Sequence, residues 1–241
     1  MAIQLTSSTD KHMYCTGVGF KTNTLPYSIT VWINAVWNGA ARLSFVGMYD
    51  GTPTLTGTPT VGLQIGTSAG AGEVSCWTYG GAVLVTSANG VMTASNNTWV
   101  LVTYVWDGTN HYIYRNDTQV ATSTTAIVVG TFTQIYINGY PPGGTTNETS
   151  TFQVDSYTYY SRALSPTEIQ TIYNSAGARN GLEYGQIARY EFDEDAEGVT
   201  VSTCVDMTGN GSTLVPTGAG TPITFTYIGT VANQNTRTVI S

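Results

Sequence analysis

The first chemistry this chain offers is a cluster of carboxylates. Glu191-Phe192-Asp193-Glu194-Asp195-Ala196-Glu197 places five acids in seven residues. Alternate side chains of a strand share one face, so Glu191 and Asp193 would stand side by side. Two carboxylates about 5–5.5 Å apart are the machinery of a retaining glycosidase. The same oxygens are also hard ligands. Asp193 and Asp195, with Asp206 and Asn210 further on, are the candidate calcium ligands, since calcium prefers carboxylate and amide oxygens. The plainer reading is a solvated acidic turn ending at Gly198, with Asx side chains bonding their own backbone. On that reading no residue here is catalytic and no cofactor is required, calcium being the one ion the pattern leaves open. His12 and His111 lie on separate strand-like runs with no nucleophile motif around them, and His111 is expected to pack rather than to act as a base. Cys15, Cys76 and Cys204 are odd in number and are expected to be buried free thiols.

A second group is aromatic. Tyr136, Tyr140, Tyr157 and Tyr159 fall in or beside strand-like runs next to Asn and Gly. Such rings stack on sugars, anchor protein partners, or simply fill a sheet. They are the candidate ligand-binding residues.

The elements that must position these groups are mostly strands. Strand-like runs with turn residues between them extend from 2–6 through 27–35, 42–49, 60–66, 98–106, 110–116, 118–123, 132–138, 151–160 and 186–192 to 236–240. Asn116-Asp117 reads as a two-residue hairpin turn. One helix is marked, near 166–174. Ser165 is its N-cap, Pro166 its first residue, Glu168 closes a capping box, and Gly177 is placed to end it. Ile169, Ile172 and Tyr173 give it one apolar face, so it should plug one side of a sandwich. Trp99–Trp106 is uncharged on both faces, so loops, the C-terminal tail or a partner must cover both.

Composition narrows the function. Only 10% of residues are charged and the net charge is −7. Thr, Ser, Gly, Asn and Tyr take up the difference, which suits pleated, half-buried surfaces and an all-β chain. Eight scattered basic residues do not make a phosphate-binding surface, so nucleic acid is not an expected partner. No apolar run is long enough to span a membrane. The opening MAIQLTSSTDKHMYC has no basic head followed by an apolar stretch, and reads as a strand rather than an export signal.

Several segments carry a family resemblance. Tyr27–Ile33 resembles an opening strand that ends in alanine-tryptophan-valine. Trp99 through Asp107-Gly108 resembles a tryptophan-led strand and its turn, and Arg162-Ala163-Leu164-Ser165 through Ile169 resembles the closing signature. Together, over residues 3–175, they are similar to a laminin G-like domain of the concanavalin A-like lectin/glucanase superfamily. The resemblance implies an antiparallel β-sandwich of jelly-roll type with one short helix. It also implies relatives that include lectins, adhesins, calcium binders and laminarinase-type glycosidases. Residue 194 is Glu where those hydrolases place an apolar residue, and the acidic segment resembles a non-catalytic one that normally precedes such a domain. Residues 1–181 are thus expected to form the sandwich. Residues 182–241 are expected to complete it or to reach a neighbouring subunit, with completion favoured.

The expected function is a non-catalytic structural or adhesive protein on a virion surface, of the phage head-decoration or fibre type. Its partners would be a capsid protein, further copies of itself and a cell-surface glycan. The alternatives are a secreted carbohydrate-binding module and, behind it, a glycosidase.

Overall fold

The computed structural model describes residues 2–5, 12–16, 24–35, 43–49, 60–65, 72–77, 83–92, 98–127, 130–137, 152–175, 182–192, 203–210, 213–217 and 226–228. Its strands are β1 (Ala2–Leu5), β2 (His12–Thr16), β3 (Tyr27–Ala35), β4 (Leu43–Tyr49), β5 (Thr60–Ile65), β6 (Val74–Trp77), β7 (Val83–Thr86), β8 (Trp99–Trp106), β9 (His111–Arg115), β10 (Thr118–Ser123), β11 (Gln134–Ile137), β12 (Phe152–Tyr160), β13 (Gln186–Tyr190), β14 (Val215–Thr217) and β15 (Thr226–Ile228). One helix, α1 (Pro166–Ser175), follows β12. Sheet A has the order β10-β9-β8-β3-β12-β1-β15, with β13 also paired to β12; sheet B has the order β14-β2-β11-β4-β5-β6-β7. Every strand pair is antiparallel. The architecture is an all-β sandwich of jelly-roll type.

Alternation builds the interior. Ile29, Val31 and Ile33 of β3, Val100, Val102 and Tyr104 of β8, and Leu63, Val74 and Ile135 of sheet B form one buried cluster between the sheets. The outer face of sheet A is covered by α1. Val105, Tyr114 and Tyr160 pack there with Leu164 and Ile169, and the Trp32 indole stacks on Tyr173 with centroids 5.9 Å apart. This accounts for the uncharged outer face of Trp99–Trp106: the chain's own helix covers it.

The helix is held at its start. The Ser165 N–H and hydroxyl both donate to Glu168 Oε2 (2.8 and 2.9 Å), the Glu168 N–H donates back to Ser165 Oγ (3.3 Å), and Arg162 pairs with Glu168 Oε1 at 2.8 Å. Ser28 Oγ of β3 donates to the Arg162 carbonyl and accepts from the Leu164 N–H, both at 2.9 Å. The Arg-Ala-Leu-Ser signature is therefore a structural clasp that joins β3, the helix cap and the approach to β13. Gly177 lies outside the described residues.

The Asn116-Asp117 turn joins β9 to β10, with Asn116 in the left-handed region (φ 59°). Three strands of the C-terminal part join the same chain's sheets. β13 runs beside the second half of β12, β14 beside β2, and β15 beside β1. All three cysteines are buried free thiols. No helix of the described residues is long and apolar enough to cross a membrane.

Candidate functional site

Sheet B presents a different outer face. Its inward residues, among them Met48, Val61, Leu63, Ile65, Val74 and Cys76, belong to the core. The residues between them point the other way. Register aligns Ser44 of β4 with Gln64 of β5, Gln64 with Ser75 of β6, and Ser75 with Thr86 of β7. This is one polar row across four strands, stepping about 4.8 Å from strand to strand. Thr86 is exposed, whereas Ser75, Gln64 and Ser44 are only 0–3% exposed. The row thus starts in solvent and runs inward. Among the described residues, Ser44 Oγ, Gln64 Oε1 and Ser75 Oγ meet no hydrogen-bond partner. A buried polar atom left unmatched costs about 1–3 kcal/mol, and three adjacent in register are unusual for a settled fold.

A parallel row is aromatic and glycine-floored. Tyr14 of β2 pairs with Tyr136 of β11, Tyr136 with Gly47 of β4, Gly47 with Gly62 of β5, and Gly62 with Trp77 of β6. The Tyr14 and Tyr136 rings stack at 6.0 Å and 23°. The Tyr136 hydroxyl donates to Gln134 Oε1 at 2.5 Å. Burial pushes that hydroxyl up to about 12, so it stays a protonated donor. The Trp77 indole lies directly over Gly62, and a Cβ there would stand 2.6 Å from its ring. Only glycine permits that approach. Glu73, the residue before β6, is buried. Hydroxyls, amides and aromatic rings together offer both hydrogen bonding and ring contact to one ligand.

The tyrosine candidates divide. Tyr136 belongs to this face. Tyr140 lies outside the described residues. Tyr157 and Tyr159 are corrected to core residues, since neither ring is more than 1% exposed. The cause is a bulge in β12. Asp155 pairs with Trp32 and Tyr157 with Val31, leaving Ser156 as the extra residue with φ 49°. A bulge inverts the parity of everything after it. Without it, Tyr157 and Tyr159 would share the outer face with Gln153 and Asp155. With it, they join Val154 inside.

The acidic candidates do other work. Glu191 is bound by Arg189, Nε to Oε1 at 3.1 Å, so the first carboxylate of the glycosidase reading is one half of an ion pair. Asp193 and Asp195 lie outside the described residues. Asp206 Oδ1 accepts from the N–H groups of Arg189 and Thr208 (both 3.0 Å) and is 2.8 Å from the Thr208 hydroxyl. Asn210 Nδ2 donates to the Ile187 carbonyl at 2.7 Å. Asp206 and Asn210 therefore tie residues 206–210 to β13 as an Asx-type clamp. Among the described residues, no three His, Cys, Asp or Glu side chains are grouped to hold a metal ion.

His111 is a packing residue. It is fully buried and stacks on Trp106 at 4.4 Å. Nε2 donates to the Thr125 carbonyl at 2.7 Å, which leaves Nδ1 to accept the Tyr104 hydroxyl at 2.8 Å. Burial holds this imidazole below its ordinary value, against the opposing pull of the Thr125 carbonyl and Asp107. The side chain of His12 lies outside the described residues. Sequence reading missed Ser44, Gln64, Ser75, Trp77 and Gly62. The signal was present as polar or glycine residues alternating with apolar ones in Val61-Gly62-Leu63-Gln64-Ile65 and Val74-Ser75-Cys76-Trp77.

Comparison with known proteins bears on the fold. A family model described as the concanavalin A-like lectin/glucanases superfamily matches residues 7–170. Among solved structures, the chain is similar to a candidate carbohydrate binding protein from Bacteroides ovatus, at 17% identity and TM-score 0.59, over 89% of this chain and 61% of that one. A heptameric SAP-like pentraxin from Limulus polyphemus aligns at 12% identity and TM-score 0.59, over 89% of this chain and 94% of that one. Trypanosoma rangeli sialidase in complex with sialic acid aligns at 15% identity and TM-score 0.50, over 64% of this chain and only 24% of the enzyme. At these identities the likeness is one of fold. The chain spans about three fifths of the Bacteroides protein and a quarter of the sialidase. No curated protein sequence matches it.

Proposed function

The chain belongs to the concanavalin A-like lectin/glucanase superfamily, and from that footing we propose that it is a non-catalytic glycan-binding module working through the outer face of sheet B. The observation that carries this reading is the polar row. Ser44, Gln64 and Ser75 hold unmatched hydrogen-bonding atoms in register beside Trp77, Gly47, Gly62 and Tyr136. A sugar ring carries hydroxyls that donate and accept, together with C–H faces that lie against aromatic rings. It can supply the missing partners without bringing a charge. Hydrogen bonds made in such a low-dielectric site are worth more than in water. The structurally similar Bacteroides ovatus protein, described as carbohydrate binding, points the same way.

The non-catalytic part rests on two observations. Glu191 is engaged by Arg189, and the likeness to the sialidase extends over only 24% of that enzyme. The setting we propose is the outer surface of a virus particle, as a fibre-type adhesive or head-decoration component that contacts a capsid protein and its own copies. The support is compositional: a 10% charged, Thr- and Gly-rich chain with a net charge of −7.

A glycan array tests the binding reading. Wild type should give defined hits, and Ser75→Ala and Gln64→Leu should each weaken them by about tenfold, the equivalent of about 1.4 kcal/mol. Array silence from a folded protein overturns it. Mass spectrometry of purified particles tests the setting. A stoichiometric presence keeps it, and absence removes it.

A further inference from the structure

We infer that β10 is a docking edge for a second copy of this chain, the two copies pairing antiparallel about a two-fold axis between Val120 and Ala121. This gives a surface to the copy-to-copy contact proposed above and does not depend on the glycan reading. Among the described residues β10 ends sheet A, is six residues long and contains no charged side chain. Thr118, Gln119 and Thr122 are exposed, and Val120, Ala121 and Ser123 are half-buried. Both ends of the strand are fixed. The Asn116-Asp117 turn precedes it, and beyond Ser123 the Thr125 carbonyl is held by His111 Nε2 at 2.7 Å. The other edges offer less. β7 has four residues, while β14 and β15 have three each, with Pro216 in β14. The backbone of β13 is engaged by Asp206, Met207, Thr208 and Asn210. A longer edge with neither lysine nor proline is a template for a further strand.

The occupant follows from the order of faces along β10. Gln119 lies opposite Tyr114 and Thr122 opposite Tyr112, and both tyrosines belong to the outer cluster under α1. Ala121 lies opposite Ile113 of the core, and Val120 packs against the same core. Thr118 and Ser123 adjoin the two outward residues and so turn inward. From 118 to 123 the order is in, out, in, in, out, in. It reads the same from either end because Val120 is the extra residue of a bulge, which a regular strand of this length could not achieve. A two-fold axis normal to the sheet therefore sets inward residues beside inward ones and outward beside outward. It also brings like chemistry together. Thr118 meets Ser123 of the second copy, Gln119 meets Thr122, and Val120 meets Ala121. Hydroxyl pairs and apolar pairs of this kind stabilise neighbouring strands. Each copy has a net charge of −7, and no charged side chain falls in the pairing. A slip of one residue would set inward residues against outward ones, so the register is fixed. A bulge ordinarily spoils an edge for a foreign strand. A two-fold copy brings the same bend to the axis, which singles out a second copy as the partner.

Six paired residues make a small interface, of the weak class below about 1,200 Å². Sedimentation of the full chain from about 1 μM to about 1 mM should therefore show the mass rising toward that of a dimer. Thr122→Lys sets a cation on the edge and should weaken dimerisation at least about tenfold. Gln170→Lys, on the exposed side of α1, should leave it unchanged. A Gln119→Cys/Thr122→Cys variant should cross-link between chains in oxidised glutathione, since these two positions face each other across the axis. Circular dichroism and a melting curve on each variant confirm that it is folded. A chain that stays monomeric throughout the range overturns the inference. So does a dimer that survives in folded Thr122→Lys, or one that the paired cysteines fail to link. None of these results bears on the glycan array, and silence on that array leaves the β10 pairing standing.

Discussion

The outer faces of the two sheets are both largely buried, but they are buried in different ways. Sheet A turns out Val105, Tyr114, Tyr160 and Trp32, and the chain's own helix closes over them with Ile169, Leu164 and Tyr173. Unmatched polar atoms occur there too, at Trp32 Nε1 and Thr103 Oγ1. They sit in separate cross-strand rows, Trp32 opposite Leu101 and Thr103 opposite Thr30. Sheet B turns out serine, glutamine, glycine and two kinds of aromatic ring, and three unmatched atoms, at Ser44, Gln64 and Ser75, fall in one row that opens to solvent at Thr86. Apolar burial completed within the chain contributes to folding and leaves nothing for a partner. Polar burial left incomplete costs stability and leaves hydrogen bonds for a ligand to make. One face is structural and the other is the one we propose for recognition.

Substitutions on the two faces should therefore behave in opposite ways. The largest effect is expected at Ile169. Ile169→Ala should lower stability by about 2–5 kcal/mol in a denaturant titration, through lost burial and the cavity left under α1. A change below about 1 kcal/mol would mean that the helix is not what seals sheet A. Gly62→Ala comes next. Its Cβ would meet the Trp77 indole at 2.6 Å, and displacing a ring that is only 4% exposed should cost about 1–3 kcal/mol. If Trp77 shapes the recognition face, glycan binding should fall in the same variant. Ser165→Ala removes the helix cap and should cost about 1 kcal/mol by thermal unfolding, leaving glycan binding unaltered because the cap serves sheet A alone.

A smaller effect concerns the interior between the faces. The His111 imidazole is held below the ordinary 6.5 of a free histidine, chiefly by burial. The unfolded chain therefore takes up a proton that the folded one resists. Stability from this group is full above about 6.5 and is lost as pH falls from there toward the lowered native value. His111→Gln should flatten that part of the stability curve, and an unchanged slope would remove His111 as its source. The smallest effect is expected on sheet B. Gln64→Leu should leave stability unchanged or slightly raised, since it removes an unmatched buried polar group, while weakening glycan binding. A large loss of stability in Gln64→Leu would show that the face is as structural as its counterpart, and the contrast between the sheets would collapse.

The contrast also marks what could be read from sequence. The capped helix was legible because Ser165, Pro166 and Glu168 act through local hydrogen bonds at fixed spacing. The strand Trp99–Trp106 and its need for cover on both faces were legible because alternation is local too. The destination of the tail was harder, since β14 and β15 are three residues each and pair with strands from the start of the chain. The Ser156 bulge was not legible. One residue of positive φ changes which tyrosines face the core, and nothing in Asp155-Ser156-Tyr157 announces it. The polar row was hidden for a different reason. Each of Ser44, Gln64 and Ser75 looks ordinary alone, and only the register of β4, β5 and β6 brings them together.

The pairing of β1 also has a consequence in time. Ile3 lies against Val154 on one side and Tyr227 on the other. At synthesis rates of roughly 5–20 residues per second, roughly 8–30 s pass between making Ile3 and making its first partner. During that interval the opening strand is an unpaired edge beside a growing, incomplete sheet, the state most prone to join the wrong neighbour. The yield of folded chain should therefore depend more on temperature and on the pace of synthesis than on the stability of the finished sandwich.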